Sequence, residues 1–471
     1  VLGAFFVIAQ TLSDLAQTTG GRLVGASMPF ASVSTDSRSL SSGALFVALK
    51  GPNFDGHEYA TTALQRGAVG ALVERELPLA IPQVVVGDAL QALSTFARTW
   101  RREFDIPVIG ITGSNGKTTT KEMIGAILAQ SSSQSRPQLS PCLVTQGNLN
   151  NHIGVPLTLM NLNAEHHSAV IEMGANHQGE IAALSAIAKP TIGIVTNAGA
   201  AHLEGFGGLD GVARGKGELF VSLPASGTAI VNADDDFADY WRETAKSQRV
   251  LTFGLSQAAD FWARGVQTQM STAGFGFEFE LMTPNGSQPC MLALAGMHNL
   301  RNALGAAAVA YAAGGTLSDI ASGLAVMRAV GGRLNLLPAI CGAFLLDDSY
   351  NANPSSLRAG IDALQGLPGD HWLVLGDMLE LGAGGDELHA EMGAYARAAG
   401  VSRMFAVGPR ASFAAESFGV GAEWFSSVDA LIARVQNVLQ PNVTVLIKGS
   451  RGNRLERVTA AISVAPAVSG H

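Results

Sequence analysis

Residues 106–120, IPVIGITGSNGKTTT, run an apolar strand-length segment into a glycine-rich turn, and Lys121–Gln130 then has helical composition. That order leaves few folds open. Val108–Thr112 reads as a buried strand, and a helix directly after such a strand is the unit of a parallel α/β sheet. The turn has the context of a phosphate-binding loop. Its glycines let backbone N–H groups curl around phosphate oxygens without Cβ clashes, and the helix N-terminus adds partial positive charge. Gly113, Ser114, Asn115, Gly116, Lys117, Thr118 and Thr119 are therefore expected to bind the phosphates of ATP. Lys117 would reach the β- and γ-phosphates, and the Thr118 hydroxyl would bind Mg²⁺. The spacing is the short form GxxGKT, because Ile111 stands where the longer form has glycine.

A chain of 471 residues is too long for one ordinary core, and at ~150 residues per domain it suggests about three. Region 1–87 carries short strand-like runs, Ala44–Leu49 and Val84–Val86, and a helical stretch near Ala60–Arg66. Region 88–327 repeats strand-length apolar runs at Val108–Thr112, Ala169–Met173, Ile192–Thr196, Thr228–Val231 and Val250–Phe253, with an alternating strand at Gly276–Leu281. Region 328–471 resumes the α/β rhythm at Phe344–Asp348, Trp372–Gly376, Met404–Gly408 and Val443–Ile447, as a small doubly wound domain does. The polar stretch Ser131–Pro141 reads as a loop.

The net charge of −8 and the lack of a dense Lys/Arg run argue against nucleic acid as a partner; the pair Arg101–Arg102 reads as a solvated helix face. Three widely spaced cysteines, Cys142, Cys290 and Cys341, form neither a disulfide framework nor a zinc motif, which fits a reducing cytoplasm. Val1–Ala9 is apolar, but it is short of the ~20 residues of a membrane span and lacks a basic flank. It reads as an expression remnant or a buried first strand, so no membrane insertion is expected.

Glu172 sits in the apolar run Ala169–Gly174, where a buried carboxylate needs a partner or a metal; alone, it reads more readily as a strand-end residue facing solvent. His202 follows the strand Ile192–Thr196 and, alone, is an ordinary loop histidine. Both lie near strand ends, where α/β sheets bind ligands. Lys216 by itself is a lysine on a helix, and Asn148–Pro156 is a polar loop open to turn chemistry or binding.

Taken together, these motifs resemble the Mur ligases of peptidoglycan synthesis, across nearly the whole chain. The likeness is carried by Thr35–Arg38, Gly43–Leu49, Phe54–His57, Gly113–Thr118, GNLNNHIGVPLTL at 147–159, HLEGFG at 202–207, GMHNLRNAL at 296–304 and GGR at 331–333. DDSYNANPSS at 347–356, LGDMLELG at 375–382 and KGSRG at 448–452 make it most similar to the branch that adds a dipeptide.

The resemblance implies three domains. They are a small α/β unit at 1–87 binding UDP-MurNAc-peptide, a central P-loop-type parallel-sheet ATPase domain at 88–327, and a C-terminal Rossmann-like domain at 328–471. It implies that ATP joins D-Ala-D-Ala to UDP-MurNAc-tripeptide in a cytoplasmic monomer. Thr118 and Glu172 would hold one Mg²⁺ and His202 a second, near a carbamylated Lys216; Lys117, His202 and Lys216 would be the catalytic set. Asn299 and Asn302 would face adenine, Arg333 the γ-phosphate and Asp348 the ribose, with Lys448 a further phosphate or substrate candidate. Thr35, Asp36, Ser37, Arg38, Phe46, Asp55, Gly56, His57, Asn148, Asn150 and Asn151 would contact the nucleotide-linked substrate, and Asn351, Asn353 and Ser355 the dipeptide. The alternatives are that Asn299 is a helix cap, Arg333 a surface ion pair and Asn351–Pro354 a turn. The competing functions are a sister ligase or folylpolyglutamate synthase adding one amino acid, and a nucleotide-regulated ATPase.

Overall fold

A computed structural model describes residues 10–131, 138–271 and 274–464; the apolar segment 1–9, positions 132–137 of the expected loop and the tail after 464 lie outside them. The central sheet has six parallel strands in the order Cys142–Val144, Ser168–Glu172, Val108–Thr112, Ile192–Val195, Thr228–Asn232, Arg249–Phe253. From Val108–Thr112 the chain winds first to one side and later to the other, so a crevice opens at the carboxyl end of that strand. All residues of Val108–Thr112 are buried, as a strand covered on both faces requires.

The helix after the loop is Lys117–Leu128, beginning four residues before the expected Lys121. Its threonines are modest helix formers, but Gly116 starts the helix from a left-handed φ of 80°, and burial of Thr118, Thr119 and Thr120 overrides propensity. Helices Met297–Ala312 and Leu317–Val326 pack against it. Gly323 permits the second contact, because a Cβ there would lie 2.4 Å from the Ile127 Cα. Gly323→Ala must push the two helices apart, with an expected loss of about 1–3 kcal/mol. A thermal unfolding midpoint equal to wild type would contradict this packing.

Gly276–Leu281 belongs to an antiparallel meander, Trp262–Ser271, Gly274–Thr283 and Gly286–Leu292, with Phe277, Phe279 and Leu281 buried on one face. The C-terminal sheet runs Asn335–Pro338, Phe344–Asp348, Val443–Lys448, Asp370–Gly376, Arg403–Val407, Ala422–Phe425, parallel except for its first edge strand. Its register sets Asp348 directly beside Lys448 at the strand ends. One apolar cluster runs from Ile124 and Leu300 through Phe275 to Leu357 and Leu446, so the central and C-terminal cores are continuous.

The N-terminal sheet has five strands, Arg22–Val24, Gln83–Val85, Gly70–Val73, Ala44–Val47 and Ser32–Ser34. Helix Ala89–Arg101 joins it to the rest: Ala89, Leu93 and Phe96 pack into the N-terminal core, and Ala97 and Trp100 into the central one. Arg101 corrects the expectation of a solvated basic pair. It is buried, and its guanidinium donates to the carbonyls of Ala188 and Phe104 at 3.1 and 2.6 Å. Arg102 alone of the pair is exposed. Among the described residues no helix is long and apolar enough to cross a membrane.

Candidate active site

A cleft of about 630 Å³ opens at the carboxyl end of the central sheet and is walled on the far side by the C-terminal sheet's strand ends. The glycine loop forms its floor. Gly113 and Gly116 have φ of 143° and 80°, and neither has room for a side chain: a Cβ would lie 1.9 Å from the Thr196 Oγ1 and 2.7 Å from the Asn302 Oδ1 respectively. Thr196 Oγ1 and Asn197 Nδ2 donate to the Asn115 carbonyl at 2.6 and 3.0 Å, and Asn197 Oδ1 accepts the Asn115 N–H at 3.0 Å. The loop is thus braced from the end of the neighbouring strand. Lys117 Nζ donates to the loop carbonyls of Gly113 and Ser114 at 2.7 and 3.3 Å. Burial pushes its ammonium down from the usual lysine range; Glu172 opposes that shift and Arg333 adds to it.

Glu172 is only 2% exposed, which rules out the solvent-facing alternative. Its Oε2 accepts the Thr118 hydroxyl at 3.0 Å and its Oε1 the Asn150 amide at 2.8 Å. Lys121 was not anticipated as a site residue. It is fully buried, 3.8 Å from Glu172, with Nζ donating to the Thr145 carbonyl at 2.6 Å. Its position one helical turn after Lys117 was the available signal. Among the described residues no group of three His, Cys, Asp or Glu side chains could hold a metal alone.

His202 has a left-handed φ of 54° and its Nδ1 lies 2.5 Å from Glu380 of the C-terminal unit. Burial pushes its imidazole down, and Glu380 opposes the shift. Lys216 is buried, with Nζ donating to the Ala175 carbonyl at 3.2 Å and lying 4.9 Å over the Phe206 ring. Burial, helped by Lys117, pushes its amine down to about 7.

The C-terminal wall brings Arg333, stacked 4.3 Å over the Tyr350 ring, and Asp348, which accepts from Lys448 Nζ. Burial raises the Asp348 carboxyl, and the Lys448 ammonium opposes that shift. Asn299 and Asn302 share one helix face, with the Asn302 amide donating to Asn299 Oδ1 at 3.3 Å and that of Asn299 to the Ala295 carbonyl at 2.7 Å. Asn353 caps helix Pro354–Gln365, as the turn reading allowed, and also bonds the loop: its Nδ2 donates to Asn115 Oδ1 at 2.8 Å. Asn115 Nδ2 in turn donates to Ser355 Oγ at 3.0 Å. Asn148, Asn150, Asn151 and Asn351 also line the cleft, although Asn151 Oδ1 is committed to the N–H groups of Ile153 and Gly154 at 3.1 and 2.9 Å.

The N-terminal candidates lie outside this cleft. Phe46, expected to contact the nucleotide-linked substrate, is 1% exposed and packs with Ala60 and Ala63 in the core of its sheet. His57 is also committed internally. Its Nδ1 lies 2.5 Å from Asp55, and its Nε2 accepts the Glu74 N–H at 2.8 Å. Gly56 allows a close approach, since a Cβ would sit 2.5 Å from the Leu49 carbonyl oxygen. Asp36 and Arg38 form a surface pair at 2.8 Å beside Thr35, while Ser37 is buried.

A glycine loop at the switch point of a parallel sheet, with a lysine, a threonine and a buried carboxylate converging below it, defines a nucleotide-phosphate-binding α/β protein. Family models refine that class, matching a Mur ligase family catalytic domain at 29–101, a Mur ligase middle domain at 111–310 and a Mur ligase glutamate ligase domain at 332–451. The chain belongs to the Mur ligase family. It is 44% identical over 459 residues, 97% of this chain and 99% of the relative, to the UDP-N-acetylmuramoyl-tripeptide–D-alanyl-D-alanine ligase of Escherichia coli (strain K12). Among solved structures it is similar to MurF from Acinetobacter baumannii, with TM-score 0.87, 37% identity, and 96% of this chain and 99% of that one covered. It is also similar to MurF ligase from Thermotoga maritima in complex with ADP, with TM-score 0.78, 26% identity, and 91% and 96% covered.

Proposed function

We propose that this chain joins D-alanyl-D-alanine to UDP-N-acetylmuramoyl-tripeptide at the expense of ATP, giving the pentapeptide, ADP and phosphate. The observation that carries the ATP-dependent chemistry is the convergence of Lys117, the Thr118–Glu172 pair, Arg333 and Asp348 on one cleft. The acceptor and donor rest on the near full-length likeness to the E. coli ligase of that name. Three units divided at 87/88 and 327/328 suit this reading, because each large sheet falls within one unit. A cytoplasmic monomer belongs to the same reading.

A carboxylate is a poor electrophile, so the reaction takes two steps. The peptide's terminal carboxylate oxygen attacks the γ-phosphorus, the bond to the bridging oxygen breaks, and ADP leaves. The dipeptide amine then attacks the acyl carbon, loses its proton, and phosphate departs. The protein's work is orientation and charge neutralisation. Lys117 turns from its own loop carbonyls to the β/γ-phosphates, Arg333 meets the γ-phosphate from the opposite wall, and Asn299, Asn302 and Asp348 hold the nucleoside.

The site fits Mg²⁺: Thr118 Oγ1 and Glu172 Oε2 are oxygen donors 3.0 Å apart, and a hard cation completes its shell with phosphate and water. His202 and a carbamylated Lys216 would hold a second ion. Bound Mg²⁺ supplies charge neutralisation where two anions must meet.

Lys216 is suited to carbamylation because CO₂ adds to the free amine, whose fraction rises tenfold per pH unit below about 7 and levels off above it. At constant CO₂ pressure, ¹³C-labelled CO₂ should give a carbamate resonance that grows with pH through 7 and is missing in Lys216→Ala. A pH-independent signal, or none, would refute the assignment.

The acceptor is tested by mass spectrometry of the product. D-Ala-D-Ala should extend UDP-MurNAc-tripeptide to the pentapeptide, and free amino acids should not replace it. Efficient addition of a single amino acid would move the chain to a sister activity.

A further inference from the structure

His202, read above as a cation ligand, meets a residue from the C-terminal unit. The segment after strand Asp370–Gly376 is pinned to the C-terminal scaffold. Asp377 Oδ1 accepts the N–H groups of Arg410 and Ala411 at 3.0 and 2.7 Å. The Met378 N–H donates to His389 Nε2 at 2.9 Å, and the Leu379 N–H to Ser450 Oγ at 2.9 Å. Directly after these anchors, Glu380 takes a left-handed φ of 62° and reaches across to His202, itself at 54°. Non-glycine residues hold that conformation only where their surroundings impose it. Here both sides of one contact carry it.

The Glu380 side chain is 63% exposed, so its pairing with His202 adds little stability as an ion pair. Its effect is on orientation. An imidazole whose Nδ1–H donates to a carboxylate presents Nε2 as a lone-pair donor, and partners of this kind tune metal-binding histidines. We propose that Glu380 is a positioning residue for His202. It holds the Nδ1–H tautomer with Nε2 free for a divalent cation, and it does so from a segment anchored in the C-terminal unit. This rests on the reading of His202 as a cation ligand given above. It would make the second cation site a joint product of the central and C-terminal units.

The test uses the full chain and two readouts. In ¹⁵N-histidine-labelled protein without metal, with His202 assigned by loss of its signals in His202→Gln, wild type should show Nδ1 protonated and Nε2 bare. Glu380→Ala should shift His202 toward the other tautomer, while Glu380→Gln, which keeps an accepting oxygen, should retain the wild-type pattern. With a non-hydrolysable ATP analogue, Mn²⁺ titrated by electron paramagnetic resonance should occupy two sites in wild type. In Glu380→Ala the site that His202→Gln also weakens should lose roughly 10–100-fold in affinity, and the other should not change. The Glu380 side chain is exposed and its loop is anchored by its neighbours, and unchanged thermal unfolding of the variant excludes misfolding as the cause. An alanine variant with the wild-type tautomer and both affinities intact overturns the proposal. A wild type that binds only one Mn²⁺ overturns the two-cation reading itself, and the tautomer result separates that failure from Glu380's.

Discussion

Lys117→Ala is expected to lower the rate of phosphate release at saturating substrates by roughly a thousandfold while leaving the fold intact. Among the described residues, the side chain's hydrogen bonds run only to the carbonyls of Gly113 and Ser114, in its own loop. The loop is shaped independently, by Thr196, Asn197 and the close approach of Asn302 to Gly116. Alanine therefore removes a cation without removing a brace. The loss falls on the step in which a carboxylate approaches the dianionic γ-phosphoryl group, where no neutral side chain can substitute. Lys117→Arg should not restore the rate, because the planar, longer guanidinium cannot reproduce a point charge in so tight a turn. A turnover within tenfold of wild type for Lys117→Ala, in a protein with an unchanged unfolding midpoint, would remove the lysine from the proposed chemistry.

Glu172→Ala should damage both catalysis and stability, which distinguishes it from Lys117→Ala. Glu172 is buried and receives hydrogen bonds from Thr118 and Asn150, with Lys121 at 3.8 Å. Truncation leaves those donors without their acceptor, an expected loss of about 1–3 kcal/mol in unfolding free energy. Lys121 keeps the Thr145 carbonyl and Glu122 at 2.6 and 3.0 Å, which limits the damage. Turnover should fall roughly 10²–10³-fold, and raised Mg²⁺ should recover part of it. Glu172→Gln refills the space and still accepts one hydrogen bond, so it should recover stability but not Mg²⁺ affinity. Equal Mg²⁺ dependence in wild type and Glu172→Gln would assign this carboxylate a purely structural role.

Much of the fold was legible because buried parallel strands write themselves as continuous apolar runs. Val108–Thr112 and Phe344–Asp348 coincide with the strands residue for residue, and Asp348 at the end of the second faces the cleft. The phosphate loop was legible because its glycines answer a local steric demand. What escaped depends on distant partners. Arg101 and Arg102 look alike in sequence, but only Arg101 meets the carbonyl at the end of helix Glu180–Ala188. Lys121 owes its burial to Thr145 and Glu172, and Glu380 acquires a role only where the C-terminal unit meets His202. Phe46 shows how a motif position can also serve the core, since its ring is buried against Ala60 and Ala63 on the face of the sheet. Asn353 answers to the turn reading as a helix cap, and its bond to Asn115 of the glycine loop depends on a partner that sequence distance hides.

The most direct test measures phosphate release from Mg-ATP with UDP-MurNAc-tripeptide and D-Ala-D-Ala together and with each omitted. A ligase of the proposed kind releases phosphate only when both are present, in step with the pentapeptide formed. Equal release with either one omitted would contradict the account and leave an ATPase in its place.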